Sequence, residues 1–322
     1  MAKIDIIVPT YKAVNTIDRL LASIYMQSIK DDLNVYIVND CDGLDYSGII
    51  ERWGRMLNII YVQTPHNGGA GVARQYGIDH SDSDFILFAD ADDCLASAFA
   101  CELLWYSANT KNADMVCGAF DNDMRADNKF AVGENDHSTT WLHGKLFRRS
   151  FLDRHSIRFR DSLRTNEDCY FNQLFLSFEP VAITVNKVCY SWIWTDGSLT
   201  RTGKPDNRFY ILYDYIQASE EYIDEICLRK MEDNHVALKM IADDLMIIYR
   251  YYNEILDTFD KSYQEKYLSR CRDYYKNYLN RVPQALDDDL LTVSNMNVLK
   301  NAEFTSRIPS VSIPEFARMI MG

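Results

Sequence analysis

Three aspartates, Asp90, Asp92 and Asp93, stand at the end of the apolar run Phe85-Ile-Leu-Phe-Ala. That run reads as a buried strand, and in open α/β sheets ligands gather outside the carboxyl ends of strands. Carboxylates this close repel one another unless something positive joins them. A hard divalent cation, Mg²⁺ or Mn²⁺, suits the cluster because it takes oxygen ligands and bridges carboxylates to phosphates. The plainer alternative is a solvated acidic turn that caps the next helix.

Other strand ends carry groups of the same kind. Tyr11 follows the first β-rich run, where a ring beside a cleft can stack on a heterocyclic base. Asp40 follows the second, where its carboxylate can accept from a base N–H or cap the turn at Gly43. Arg74 follows the glycine-rich Asn67-Gly-Gly-Ala-Gly71, at a helix start whose N–H groups favour an anion. The glycine spacing lacks the third glycine of a dinucleotide fingerprint, and no phosphate-loop G-x-x-x-x-G-K-[ST] occurs.

The elements that must hold these residues alternate. Strands are expected at Ile4 to Val8, Leu33 to Val38, Asn58 to Val62, the run into Asp90, and Met115 to Phe120. Between them lie a helix with Ile17, Leu20, Leu21, Ile24 and Tyr25 on one face, another from Val72 to Ile78, and one through Phe99, Leu103, Leu104 and Ala108. This alternation implies a mostly parallel sheet with helices on both faces. After about Pro205 the pattern becomes helical throughout: Arg208 to Cys227, His235 to Leu256, Ser262 to Leu279, then weaker stretches at Asp287 to Lys300 and Pro314 to Met321.

Composition bounds the function class. The 322 residues are 47% hydrophobic and carry a formal charge of −13, which supports a packed globular chain and disfavours general nucleic-acid binding. Eight scattered cysteines with no C-x-x-C pair read as reduced thiols of a cytoplasmic protein. The start is too interrupted for a secretory segment, and no apolar stretch is long enough to span a bilayer. The segment Lys145 to Arg160 with Arg164 is locally basic; it is either a solvated face or a contact for an anionic acceptor or a leaving diphosphate. His143 lies just upstream, more fitting as a structural residue than as an acceptor-side group.

In order and spacing, Val8-Pro-Thr-Tyr11, Val38-Asn-Asp40, Gly71-Val-Ala-Arg74 and Phe88-Ala-Asp-Ala-Asp-Asp93 resemble the successive motifs of inverting family-two glycosyltransferases of the GT-A fold. The likeness continues through Trp141-Leu-His-Gly-Lys-Leu-Phe-Arg-Arg149, Asn166-Glu-Asp168 and Gly197-Ser-Leu-Thr-Arg201, over about two-thirds of the chain. The resemblance implies a GT-A domain over 1–205 with a helical C-terminal region over 206–322. It implies a UDP-sugar donor held by Pro9, Tyr11, Asp40, Arg74, Asp90 and Ala91, with Asp92 as the ligand of Mn²⁺ or Mg²⁺ in the DxD motif. It implies Asp168 as catalytic base, beside Glu167, and a glycan or polymer of a bacterial or phage cell envelope as acceptor; a protein or modified nucleobase acceptor is the alternative. Two departures stand out: Asn39 where the family usually has a first aspartate, and Cys41-Asp42 where Gly-Ser is commoner.

A sugar hydroxyl is a poor nucleophile, so displacement at an anomeric carbon needs a carboxylate within hydrogen-bond reach. Asp168 suits that role if Thr165 or Asn166 caps a helix that buries Phe171, Leu174 and Phe175. The helical region is open to forming a homo-oligomer, touching the inner face of a membrane or shaping an acceptor cleft. The rival readings are a nucleotidyltransferase, which shares the metal and nucleotide logic, and an inactive sugar-nucleotide-binding or scaffold protein. A glycosidase is disfavoured because Glu167 and Asp168 are adjacent and cannot straddle a bond.

Overall fold

The computed structural model describes residues 2–124, 129–133, 140–193, 195, 205–299 and 309–322. The chain divides into two compact units, Met1–Ser198 and Leu199–Gly322.

The first unit is built on one nine-stranded mixed sheet. Its strands are β1 (Ile4–Thr10), β2 (Leu33–Asn39), β3 (Asn58–Gln63), β4 (Phe85–Phe88), β5 (Cys94–Leu95), β6 (Met115–Met124), β7 (Lys129–Gly133), β8 (Lys145–Arg148) and β9 (Ala182–Trp192). They run in the order β3-β2-β1-β4-β8-β6-β9-β5, with β7 on β6. The first four strands are parallel, and the sheet then reverses at β8, which pairs antiparallel with both β4 and β6. The parallel half was legible as alternating strands and helices, whereas β8 and β9 were not. Lys145-Leu-Phe-Arg148 reads as a basic segment and not as a strand, because its pairing depends on neighbours distant in sequence.

Helices α1 (Ile17–Tyr25), α2 (Ser47–Trp53), α3 (Ala70–His80), α4 (Ala100–Thr110), α5 (Arg149–His155) and α6 (Glu167–Leu176) complete the unit. Helix α1 buries Ile17, Leu20, Leu21 and Ile24, the three- and four-residue spacing of an amphipathic helix. Tyr25, grouped with that face in the sequence, is instead exposed, with Lys30 Nζ 5.7 Å from its ring centroid. It is the last residue of α1.

A buried carboxylate pins the strand ends opposite the acidic cluster. Asp5 accepts from Asn34 Nδ2 and Ser83 Oγ at 2.7 Å, from the backbone N–H of Ser83 at 2.7 Å and of Asp82 at 2.9 Å, and from Arg149 at 3.4 Å. Arg149 also donates to the carbonyls of Ser83 and Ile78. Arg148 donates to Ala113 and Ala108 carbonyls and stacks 4.7 Å over Phe85, and Arg158 Nη2 donates to both carboxylate oxygens of Asp79. Arg148 and Arg149 are therefore tied into the fold, whereas Arg158 is paired at the exposed surface. The first two cations tie β8 and α5 to the parallel strands.

The second unit holds α7 (Pro205–Leu228), α8 (His235–Thr258), α9 (Lys261–Asn277), α10 (Asp288–Leu299) and α11 (Ile313–Met321). Each coincides with a helical stretch expected from the apolar spacing, and Leu238, Ile241, Leu245, Ile248 and Tyr249 are all buried as one stripe of α8. Asn234 and Asp260 cap α8 and α9 by accepting from their first-turn N–H groups. Among the described residues no helix is long and apolar enough to cross a membrane.

Candidate active site

The carboxyl ends of β1, β2 and β4 and the start of α6 carry the residues singled out above. Tyr11 follows β1 and is 54% exposed. Pro9 lies within β1, opposite Val38 and beyond the last β4 pairing at Ile7, so its missing N–H breaks no bond to β4.

Asp40 is buried, and its carboxylate holds the glycine loop. Oδ1 accepts from Gly68 N at 2.8 Å and Thr64 Oγ1 at 3.2 Å, and Oδ2 accepts from Gly69 N at 2.7 Å. Neither the turn at Gly43 nor an open cleft takes up these oxygens. The glycines that looked like an anion cradle are thus folded around a carboxylate of the protein itself. Gly69 adopts φ +91°, a conformation that other residues avoid, and directs the chain into α3. Gly71 serves closeness: a Cβ there would lie 3.0 Å from Glu167 Cγ. That approach brings α3 against α6.

Arg74, on α3, is the centre of charge. Its Nη1 donates to Glu167 Oε1 at 2.6 Å and its Nη2 to Asp90 Oδ1 at 2.8 Å, with the guanidinium nearly fully buried. Burial works against this cation, but Asp90 and Glu167 outweigh it and hold Arg74 charged. Conversely, burial would raise the Asp90 carboxyl, yet Arg74 beside it keeps it below the usual range. Arg74 therefore links the acidic loop to the helix of Asp168 through two ion pairs.

The three aspartates divide. Asp93 is 1% exposed, with Oδ2 accepting from Tyr190 OH at 2.7 Å and Oδ1 from Ile193 N at 2.8 Å. Burial and the charges of Asp90 and Asp92 push its carboxyl well above the ordinary value. Asp92 is partly buried, and burial and Asp90 raise it as well. Arg19 donates to the Asp92 backbone carbonyl, and Ala91 between the acids is buried.

Tyr190 OH also accepts from Asp90 N at 2.9 Å, while its ring stacks on His143 with centroids 4.8 Å apart and planes 5° from parallel. His143 Nε2 lies 3.6 Å from Asp90 Oδ2. No sequence signal marked Tyr190, because its hydroxyl's partners, Asp90 and Asp93, are 100 and 97 residues away. Replacing Tyr190 by Phe removes the hydroxyl from a buried carboxyl and is expected to cost about 1–3 kcal/mol. Thermal unfolding checks this, and an unchanged melting temperature would deny the bridge a stabilising part.

The donor set fits a hard divalent cation. Asp90, Asp93 and His143 present ligand atoms within 4.8 Å of one another, but Asp90 is paired with Arg74 and both oxygens of Asp93 accept hydrogen bonds. The Asp92 carboxyl is raised by burial and by the charge of Asp90, a repulsion that an added cation would relieve. The acceptors are oxygens of the kind Mg²⁺ and Mn²⁺ prefer.

Asp168 lies in the first turn of α6. Burial, then the charge of Glu167, pushes it up to about 7, against the lowering effect of Arg74. Its Oδ1 accepts from Cys169 N at 2.8 Å. The expected side-chain cap is not formed: Asn166 sits at the N-cap with φ +58°, outside the extended backbone that lets a cap side chain reach the helix N–H groups. The anchoring face is as expected, with Phe171, Leu174 and Phe175 buried. Glu167 is held by Arg74, so the two adjacent acids have different surroundings. The stretch Gly197 to Arg201 lies outside the described residues.

Residues 5–163 match the family described as Glycosyl transferase family 2. The chain is 26% identical to glycosyltransferase GlyA of Streptococcus pneumoniae over 62% of its own length and 32% of that protein's. It is 24% identical to the poly(ribitol-phosphate) beta-glucosyltransferase of Bacillus spizizenii over 67% of its length and 36% of that protein's. The chain thus spans about a third of these relatives. The crystal structure of Staphylococcus aureus TarS 1–349 in complex with UDP-GlcNAc superposes with a TM-score of 0.72 and 20% identity, covering 93% of this chain and 89% of that one. With the mixed sheet, the acidic loop after β4 and the acidic start of α6, these likenesses show that the chain carries a glycosyltransferase family 2 domain with the GT-A fold.

Proposed function

We propose that this chain transfers a sugar from a UDP-sugar to a hydroxyl of a cell-envelope glycan or polyol-phosphate polymer, in the cytoplasm, by one displacement that inverts the anomeric configuration. The observation that carries the reading is the partly buried Asp168 carboxyl, raised to about 7 beside the Arg74-to-Asp90 link, since a base poised near the working pH is what an alcohol nucleophile needs. The donor class is supported by the UDP-GlcNAc complex of TarS, and the acceptor class by the poly(ribitol-phosphate) glucosyltransferase likeness.

In this reading Asp168 takes the proton of the incoming hydroxyl, and Arg74 keeps Glu167 and Asp90 in register with it. Asp92 would hold Mg²⁺ or Mn²⁺, which when bound would supply charge neutralisation for the departing diphosphate. Tyr11 stacks on the base. Asp40 supports the nucleotide side through the glycine loop it folds, with its remaining lone pairs the only ones left for a base N–H. The helical unit serves the acceptor or assembly.

A panel of nucleotide sugars tested by thermal shift with Mn²⁺ identifies the donor, because a ligand that binds only the folded state raises its melting temperature. No shift with any UDP-sugar would overturn the donor class. Hydrolysis or transfer of the stabilising donor separates an enzyme from a sugar-nucleotide-binding scaffold. Tyr11→Ala is expected to weaken UDP binding about fivefold, the value of about 1 kcal/mol of stacking, as read by calorimetry.

A further inference from the structure

Lys145, the first residue of β8, is 0% exposed. A fully buried ammonium is costly and persists where opposing charge and hydrogen bonds compensate it. Its Nζ donates to Asn172 Oδ1 at 3.1 Å, and Asn172 Nδ2 donates to the Trp141 carbonyl at 3.1 Å. Asn172 is four residues after Asp168 on α6, so it shares that residue's helix face one turn on. The hydrogen bond thereby seats a cation beneath the candidate base.

The charges around Asp168 explain why a cation is useful there. On its own helix stands Glu167; from α3 comes Arg74; from the loop after β4 comes Asp90; from β8 comes Lys145, with the Cys117 and Cys169 thiols beside that ammonium. Two carboxylates against one guanidinium leave a net negative charge facing Asp168, and Arg74 is already divided between both of them. Lys145 brings the surroundings back to neutral before Asp168 ionises.

We propose that Lys145 is a positioning residue for the transfer reaction, an internal cation that favours the ionised, proton-accepting form of Asp168 and holds its helix through Asn172. The proposal rests on the reading of Asp168 as base. The influence is mutual: burial lowers Lys145 to about 8, and the nearby Asp168 works in the opposite direction. Lysine at that value is still mostly ammonium at neutral pH.

Lys145→Met keeps the length and removes the charge. The acid limb of its pH–rate profile is expected to move up by about one pH unit, so that the rate at pH 6.5 falls several-fold while the donor KM and the high-pH plateau change far less. A merely structural lysine would lower the rate equally at all pH values, and that outcome, or an unmoved acid limb, overturns the proposal. If this variant does not fold, reciprocity supplies the second measurement. Neutralising Asp168 in Asp168→Asn must lower the pKa of the Lys145 ammonium, read by NMR of ¹⁵N-lysine-labelled protein, by the amount that Lys145 lowers Asp168. An unchanged Lys145 titration overturns the coupling. Transfer retained by Asp168→Asn overturns the base assignment and the catalytic meaning of Lys145, yet leaves that NMR shift in place, so the two failures are distinct.

Discussion

Replacing Asp168 by asparagine is expected to lower transfer by about 100-fold or more while UDP-sugar binding stays close to that of the native chain. The amide keeps the size of the side chain and the contacts of α6 but cannot take a proton from the acceptor hydroxyl. Glu167 cannot substitute, because its carboxylate is paired with Arg74 at 2.6 Å. The pH profile carries the same information. Burial and Glu167 raise Asp168 to about 7, so the base is protonated and idle below that value, and the native rate should climb as pH rises through it. Proton NMR of the product checks the stereochemistry: an α-linked donor should yield a β-linked product. Retained configuration, or an Asp168→Asn chain with most of its activity, would take this role away from Asp168.

Asp92→Asn should reduce turnover about 100- to 1,000-fold, the scale of losing a group that stabilises developing charge. Asp92 is also raised by burial and by Asp90, so removing its charge relieves repulsion. The variant should be at least as stable as the native chain. This opposite movement of stability and turnover separates a binding acid from a structural one. Tyr190→Phe, in contrast, should lose stability first. Native turnover unaffected by excess EDTA, or a fully active Asp92→Asn chain, would exclude a metal at this residue.

The arrangement of charge explains why so many acids can share one crevice. Asp90 is paid for by Arg74, Asp93 by Tyr190 and the Ile193 N–H, and Glu167 by the second arm of Arg74. The carboxyls of Asp92, Asp93 and Asp168 are all raised, but both oxygens of Asp93 are taken up by hydrogen bonds. In the proposed reading Asp92 meets the cation and Asp168 takes the proton. The split resembles other sites in which neighbouring carboxyls take different roles because their surroundings differ.

Local pattern alone determined much of this protein. The run Phe85 to Phe88 is apolar and β-rich, so its strand and the acidic turn after it follow from residue type, as do the parallel strands β1 to β3 with their intervening helices. The long helices α7 to α9 follow from apolar residues at three- and four-residue spacing, a signal that needs no knowledge of partners. Asp168 was legible as a first-turn acid on a helix with a buried aromatic face.

Only the tertiary structure decided what each polar group does. Arg74 lies 93 residues from Glu167 and 16 from Asp90, and no local pattern says that one guanidinium spans both. Asp93 is distinguished from Asp92 by a tyrosine 97 residues further on, and Asp40 turns out to hold the glycine loop. Lys145 and Arg149 read as members of a basic surface; β8 enters the middle of the sheet, burying the first against α6 and pairing the second with Asp5. The physical reason is common to all of them. Secondary structure answers to neighbours a few residues apart, whereas the state of a charge answers to whatever the fold brings within a few ångströms, and that is set by long-range packing.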